Sequence, residues 1–482
     1  MATMTDHAFS DDALRRFITD GYALIESDPS QGCSDDNPPE FHEDMCERLD
    51  RVMEQEGNPG NNILPRVPQI QRVFDAPHVS AALTRILGPG YIMHPHRHCH
   101  HRPPGSKSQG WHKDDYVYDQ NARHHRGRWV MAFYYPQAVS ADMGATAIVP
   151  GYQHHDTTVA IKADPTLEMS ITGAAGMVAI VNFDIWHRGG ENTTPRHRHM
   201  LKFQFMRMEE PVTPDTARAE TNLEWPDADG VSRYQWDWLH GASDSPSAEN
   251  GVDSATAIEQ LLGDDESTRL QATYALAGIG EPAVPPLVDA LREEAAQHGE
   301  SKTAKSPANP AGGNPADLAT AHALAALGPS AIDALVDLST HSHWAVRATA
   351  VDVLGTIGSP VAAAAPTIRQ ALQDENVWVR RNAAEALGIL SDANSTGELA
   401  TALKDEDWRV RLNAAGALAR IGPEANSSTR DVSPLLDDEN RYVRANAIQA
   451  LERFASPEAT DALLHHLMSA RWCSLTSKDS KY

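Results

Sequence analysis

The sequence predicts a two-part protein: an N-terminal β-barrel or sandwich with helical buttresses, followed by an all-α solenoid. Three observations carry this. The chain is 482 residues long, too many for one ordinary hydrophobic core. Up to about residue 240 it is rich in His, Trp and Tyr, with short apolar runs broken by Gly and Pro. After about residue 253 it turns Ala- and Leu-rich and periodic.

In the first part, Ser10 precedes Asp11, Asp12, Leu14, Phe17 and Ile18, the pattern of an N-capped amphipathic helix. A second helix is expected over 41–56. Strands are expected over 91–101, 129–135, 145–149, 177–183 and 200–206, because short apolar runs between turn residues read as strands. The expected boundaries are 1–240 for this domain, 241–252 for a linker, 253–470 for the solenoid and 471–482 for a tail.

The second part repeats. Arg347, Arg380, Arg411 and Arg444 recur at intervals of 33, 31 and 33 residues. Each is followed three residues on by an alanine (Ala350, Ala383, Ala414, Ala447) and seven on by a leucine (Leu354, Leu387, Leu418, Leu451). An earlier copy fits Arg269, Ala272 and Leu276, and a degenerate one has Asp317 at the arginine position. A period near 30 means stacked helix pairs, none able to bury its apolar face alone, and about six units fit. The arginines are expected to bond neighbouring repeats. Residues 293–315 have the composition of a flexible insertion. The pattern resembles HEAT-like repeats of the phycobilisome (PBS) lyase type, which implies a surface for a protein partner.

Composition narrows the function. A formal net charge of −25 disfavours nucleic acid and anionic membranes as partners. The four cysteines, Cys33, Cys46, Cys99 and Cys473, make no CxxC pair, which suits a reducing cytoplasm. No signal-like segment opens the chain and no apolar run looks like a membrane span.

Two segments carry chemistry. In extended chain, residues i and i+2 share a face, so His112 and Asp114 can grip one metal while Lys113 points away. His187 ends an apolar strand and supplies the second imidazole of a two-histidine, one-carboxylate iron site. Arg198 lies eleven residues beyond, across a turn holding Gly189, Gly190 and Pro195, and a guanidinium is the natural anchor for a carboxylate. Trp111 and Trp186 are expected to pack beside these residues. By strand parity His94, His96, His98 and His100 share an inner face. They read as a polar pocket lining, as a second metal site, or as solvated histidines. His124, His125, His154 and His155 are expected at the surface, and His197 and His199 on the outer side of the strand that carries Arg198.

These motifs resemble the phytanoyl-CoA dioxygenase family over residues 10–210. The resemblance rests on Leu14 to Ile25, on Trp111-His-Lys-Asp114, on Gly144 to Gly151, and on His187 followed by Asn192 and Arg198. It implies a double-stranded β-helix (jelly-roll, cupin-like) and an iron(II)- and 2-oxoglutarate-dependent dioxygenase using O₂. His112, Asp114 and His187 would be the iron ligands. Arg198, with His98 and Asn192, would bind 2-oxoglutarate. The expected reaction is hydroxylation of an unactivated C–H bond in a polar or anionic small molecule. Deleting everything after about residue 250 is expected to leave a folded, iron-binding domain. Two departures stand out: Tyr152-Gln153 interrupts the Pro-Gly-Ser-His pattern, and Gly189 replaces a hydroxyl-bearing residue. Two competing readings remain, a repeat scaffold whose first domain is sensory or structural, and a zinc-dependent hydrolytic barrel, which would not need Arg198.

Overall fold

The computed structural model describes residues 9–25, 37–114, 124–211, 225, 230–241, 253–315 apart from 301–312, and 318–469. Nearly all of the expected linker, the core of the expected insertion, the tail, Cys33, Cys473 and Asp317 lie outside them. Contacts divide the chain into two units. One holds Met1–Asp115 and Gly127–Glu209; the other holds Tyr116–Arg126 and Glu210–Arg471. This division differs from the expected one at two places. The stretch after Asp115 and the helix Val231–Leu239 group with the repeats.

The first unit begins with α1 (Asp11–Asp20), whose amino end Ser10 caps by accepting the Ala13 N–H at 3.1 Å. Then come β1 (Tyr22–Ile25), α2 (Pro39–Glu56), α3 (Ile63–Arg66), α4 (Ile70–Asp75), α5 (Pro77–Leu87), β2 (Ile92–Arg102), β3 (Trp129–Tyr134), β4 (Thr146–Ile148), α6 (Val159–Ala163), β5 (Met169–Ser170), β6 (Val178–Asn182), β7 (His187–Gly189) and β8 (Arg198–Met206). The strands form two antiparallel jelly-roll sheets, ordered β1-β6-β3-β8-β2 and β5-β4-β7. The five expected strands are all present. The three missed ones are only two to four residues long, too short to show alternation.

β3 and β8 are buried along their whole length. One face of β8 (Arg198, Met200, Lys202) looks into the barrel. The other carries Phe203 and Phe205, which lie 4.8 and 5.2 Å from the ring of Phe74 on α4. Covering both faces explains why β3 reads as a continuous apolar run, while β8 keeps Arg198, His199, Lys202 and Gln204 among its apolar residues. Each such phenylalanine contributes roughly 1.5–3 kcal/mol by burial.

The repeat unit is built as the periodicity requires. The helices at the arginine positions are Glu266–Ile279, Ala319–Leu327, Trp344–Ile357, Val377–Ile389, Trp408–Ile421 and Arg441–Phe454. They stack so closely that a Cβ on Gly355 would come within 2.6 Å of Ala386 Cβ, so glycine is obligatory there. The arginines form a ladder. Arg347, Arg380 and Arg411 each place two guanidinium nitrogens on Asp374, Asp405 and Asp438 of the next repeat. Each also donates to the two carbonyls just before its own helix. The expected insertion begins as helix, since Val284–Glu300 is continuous. Ala319–Leu338 is long and apolar enough for a membrane span by length and composition, but it is broken at Gly328-Pro329 and 56% of it is buried.

Three histidine readings change here. His124 and His125 are buried among the repeats, not exposed: His124 Nε2 lies 2.9 Å from Asp352 Oδ2, and His125 Nδ1 lies 2.7 Å from Tyr274 Oη. Beside them Arg126 donates to the carbonyls of Thr356 and Ile357, at 2.6 and 2.9 Å, satisfying the open end of that helix. His155 is also buried, against the ring of Tyr152, its carbonyl accepting the Trp186 indole N–H at 2.7 Å.

Candidate metal centre

The segment around His112 adds one more rung to the smaller sheet. His112 and His187 exchange both backbone hydrogen bonds, at 3.1 and 3.0 Å, which sets their side chains side by side with ring centroids 4.4 Å apart. Asp114, two residues on, returns to the same face. Ligand atoms of His112, Asp114 and His187 all lie within 4.8 Å of one another, and His187 Nε2 is 3.8 Å from Asp114 Oδ1. Lys113 points away, as alternation requires, into a buried ion pair with Asp184 at 2.6 Å.

The imidazoles are oriented by their own backbone. Nδ1 of His112 faces the Gly110 carbonyl at 2.9 Å, and Nδ1 of His187 faces the Ile185 carbonyl at 3.0 Å. A carbonyl only accepts, so each Nδ1 carries the proton and each Nε2 keeps its lone pair for a metal. Burial pushes His187 down to about 4, despite the nearby carboxylate of Asp114, so the ring is neutral at pH 7. Burial by itself would raise Asp114, but the Lys202 ammonium on its Oδ2 and the two imidazoles hold it below the usual carboxylate range. Lys202 therefore fixes one carboxylate oxygen and turns the other toward His187.

A cavity of about 150 Å³ opens beside these groups. Its lining includes three cationic side chains, Arg102, Arg198 and Lys202, and no carboxylate among the described residues. Arg198 is 1% exposed and donates through Nη2 to the Gly144 carbonyl. Its Nε and Nη1 are buried with no hydrogen-bond partner among the described residues, and the Tyr135 ring lies beside it at 5.8 Å. Unpaired buried donors of this kind cost several kcal/mol unless a ligand satisfies them. The remote carboxylate of 2-oxoglutarate fits that need, and a divalent ion fits the two free Nε2 lone pairs and the carboxylate.

Residues 43–200 match the family model described as phytanoyl-CoA dioxygenase (PhyH). Residues 316–365, 332–396, 365–429 and 396–472 match HEAT repeats, and 268–293 match the PBS lyase HEAT-like repeat. The chain carries a PhyH domain followed by HEAT repeats. No curated protein is close enough to count as a match. Similar solved structures include the non-heme α-ketoglutarate-dependent carbocyclase SnoK from nogalamycin biosynthesis, 16% identical with TM-score 0.34 over 43% of this chain and 88% of that one. EctD from S. alaskensis with 2-oxoglutarate and 5-hydroxyectoine is 13% identical, with TM-score 0.35 over 43% of this chain and 80% of that one. The iron-bound form of EctD is 16% identical, with TM-score 0.34 over the same shares.

Within the PhyH domain the expected site residues divide. His112, His187, Arg198 and His98 line one cavity, and Asp114 joins His112 and His187 just behind its wall. Asn192 does not line it. The Asn192 amide donates to the carbonyls of Arg102 and Arg196 and accepts from Thr194, so it closes the turn before Arg198 and has nothing left for a cosubstrate. Of the four histidines expected on one face, His98 and His100 reach the cavity. His94 packs instead on Trp129, at 5.2 Å, beyond a bulge between His94 and Arg97 that shifts the register. At Gly189 a Cβ would meet Gln109 Oε1 at 2.8 Å and the Arg102 guanidinium at 3.3 Å, so a side chain there requires Gln109 to move. Gln153, the other departure, donates to the carbonyls of Ile18 and Thr19 and ties α1 to the barrel.

Sequence reasoning missed Lys202, Tyr135 and Thr146. Lys202 could have been found, because it lies four residues past Arg198 and shares its inward parity. Nothing in the sequence marks Tyr135 or Thr146, whose role depends on where Arg198 ends.

Proposed function

We propose that the PhyH domain is an iron(II)- and 2-oxoglutarate-dependent dioxygenase that hydroxylates an unactivated C–H bond of a small anionic molecule. The observation that carries this is the pairing of two imidazoles, both with Nε2 left free beside Asp114, with a half-satisfied buried Arg198 in the same cavity.

His112, Asp114 and His187 would hold the metal on one face, leaving the cavity side open for cosubstrate and O₂. Arg198 would receive the distal carboxylate of 2-oxoglutarate through Nε and Nη1, with the hydroxyls of Tyr135 and Thr146 beside it. Bound there, iron(II) with 2-oxoglutarate and O₂ supplies the oxidising power for hydroxylation, releasing succinate and CO₂. Lys202 holds the Asp114 carboxylate in its coordinating orientation. Burial keeps His98 and His100 neutral, so they offer hydrogen bonds without adding charge. The excess of cations around the cavity, in a chain of net charge −25, favours an anionic substrate. The HEAT repeats would bind a protein partner, as stacked repeats commonly do.

The test is aerobic conversion of 2-oxoglutarate to succinate by the full-length protein with iron(II), followed by a screen of anionic metabolites for a mass gain of one oxygen. Succinate formation that persists in Asp114→Ala would sink the proposal. So would turnover indifferent to an oxalyl-type mimic of 2-oxoglutarate.

A further inference from the structure

We propose that Asp50, His197 and His199 form a second metal site, on the outer face of the barrel sheet, that takes a divalent ion of the zinc class. Its three ligands are not among the residues that line the cavity, and it does not depend on the activity proposed above.

The residues come from two elements. His197 and His199 are separated by one residue in extended chain, so they project together, the same i, i+2 relation that joins His112 to Asp114. Asp50 lies on α2, which packs over that face. Asp50 Oδ1 is 3.0 Å from His197 Nε2 and 2.7 Å from His199 Nε2, and ligand atoms of the three lie within 4.8 Å of one another. The set is two imidazoles and a carboxylate, the donors zinc takes in three-ligand sites that leave a fourth position for water or a further side chain. His101 packs against the pair without joining the ligand group. It pairs with His199 across β2 and β8, its ring stacked 4.9 Å from that of His199 and 5.4 Å from that of His197.

The burial of the cluster and what its imidazoles touch favour an ion here. His199 is fully buried, while the Asp50 and His197 side chains are 38% and 42% exposed, so the cluster has a rigid floor and an open mouth. His199 Nδ1 lies 3.6 Å from Cys99 Sγ. A carboxylate only accepts, so without an ion His199 Nε2 carries its proton toward Asp50, at 2.7 Å; moving that proton to Nδ1, against the Cys99 sulfur, frees the same Nε2 for an ion. Burial also holds His199 in its neutral form. Without an ion the two imidazoles would each donate an N–H to the same carboxylate oxygen, a workable network that leaves the partly exposed mouth unused.

Arg198 is the residue between the two histidines. An ion at this site would clamp α2 to the strand that carries the guanidinium, and so stiffen the cavity wall from behind.

Chelator-stripped full-length protein should be titrated with Zn²⁺ by calorimetry, and with Co²⁺ read by its d–d absorbance. Two equivalents are expected for the wild type and one for His112→Ala. Asp50→Asn and His197→Ala, both at partly exposed positions, should each lose one equivalent or weaken it by about 100-fold or more. Asp50→Asn keeps a hydrogen-bond acceptor in place, so a merely structural network would survive it while metal affinity would not. Binding stoichiometry and affinity unchanged in both Asp50→Asn and His197→Ala would overturn the proposal, as would a single equivalent in the wild type that His112→Ala abolishes.

Discussion

Lys202→Met is the most informative single change in the barrel. Lys202 and Asp114 have side chains only 5% and 2% exposed, and the ammonium is hydrogen-bonded to Asp114 Oδ2. Methionine keeps the unbranched shape of the side chain, one atom shorter, and removes its charge. Deleting one member of a buried ion pair strands the other and costs about 3–5 kcal/mol. In a unit of this size that lowers the melting temperature by roughly 6–20 °C, at 2–4 °C per kcal/mol. The loss should be confined to the metal-free state. A divalent ion on Asp114 supplies the missing positive charge, so saturating Mn²⁺ or Co²⁺ should recover most of it. The assay is thermal unfolding of wild type and variant, each with chelator and with metal. Asp114→Asn should be additive with Lys202→Met only in part, because the two changes break one interaction. Equal destabilisation with and without metal would refute the reasoning, for it would mean that Lys202 acts by packing and not by charge.

Arg198→Ala should raise the KM for 2-oxoglutarate by about 100-fold or more, corresponding to roughly 3 kcal/mol for losing a buried charge-assisted pair, while Co²⁺ binding at the His112 site stays intact. His199, pushed by burial down to about 4 with Asp50 opposing the shift, should make the metal-free barrel acid-labile. Its folded pKa lies below the unfolded value near 6.5, so its contribution is complete above pH 6.5 and declines as pH falls toward 4, by about 3 kcal/mol in total. Urea unfolding of wild type against His199→Gln at pH 7, 5.5 and 4 checks this; a difference independent of pH would contradict it. In the repeats, Arg380→Met should cost roughly 2–3 kcal/mol by stranding Asp405, and the pair Arg380→Met with Asp405→Leu should cost less than the two singly, measured by urea unfolding followed by circular dichroism.

The parts of this protein that could be read in advance are those set by short periods. Alternation places His112 with Asp114 and Arg198 with Lys202. The recurrence of Arg347, Arg380 and Arg411 marks a stack, even though their partners Asp374, Asp405 and Asp438 lie 25–27 residues further on. What could not be read depends on partners distant in the chain. His199 seemed an outer residue by parity, and it is; its burial comes from α2, which brings Asp50 from 149 positions away. His124 and His125 look like polar loop residues until Asp352 and Tyr274 arrive, 228 and 149 positions later. Asn192 had the right spacing from His187, but the carbonyls of Arg102 and Arg196 claim its amide, and spacing reveals nothing about competing acceptors.

The trio His124, His125 and Arg126 bears on how the protein is made and how it can be cut. These residues leave the ribosome well ahead of Tyr274, Asp352 and the helix ending at Ile357 that satisfy them. During synthesis they must wait in water while about 150 residues emerge for His125 and about 230 for His124 and Arg126. A recombinant fragment stopping near residue 250 would strand them permanently, with polar groups shaped for burial and nothing to meet them. The two units are therefore interleaved along the chain, and a scheme for expressing either one alone must treat the stretch before Gly127 as borrowed from its neighbour.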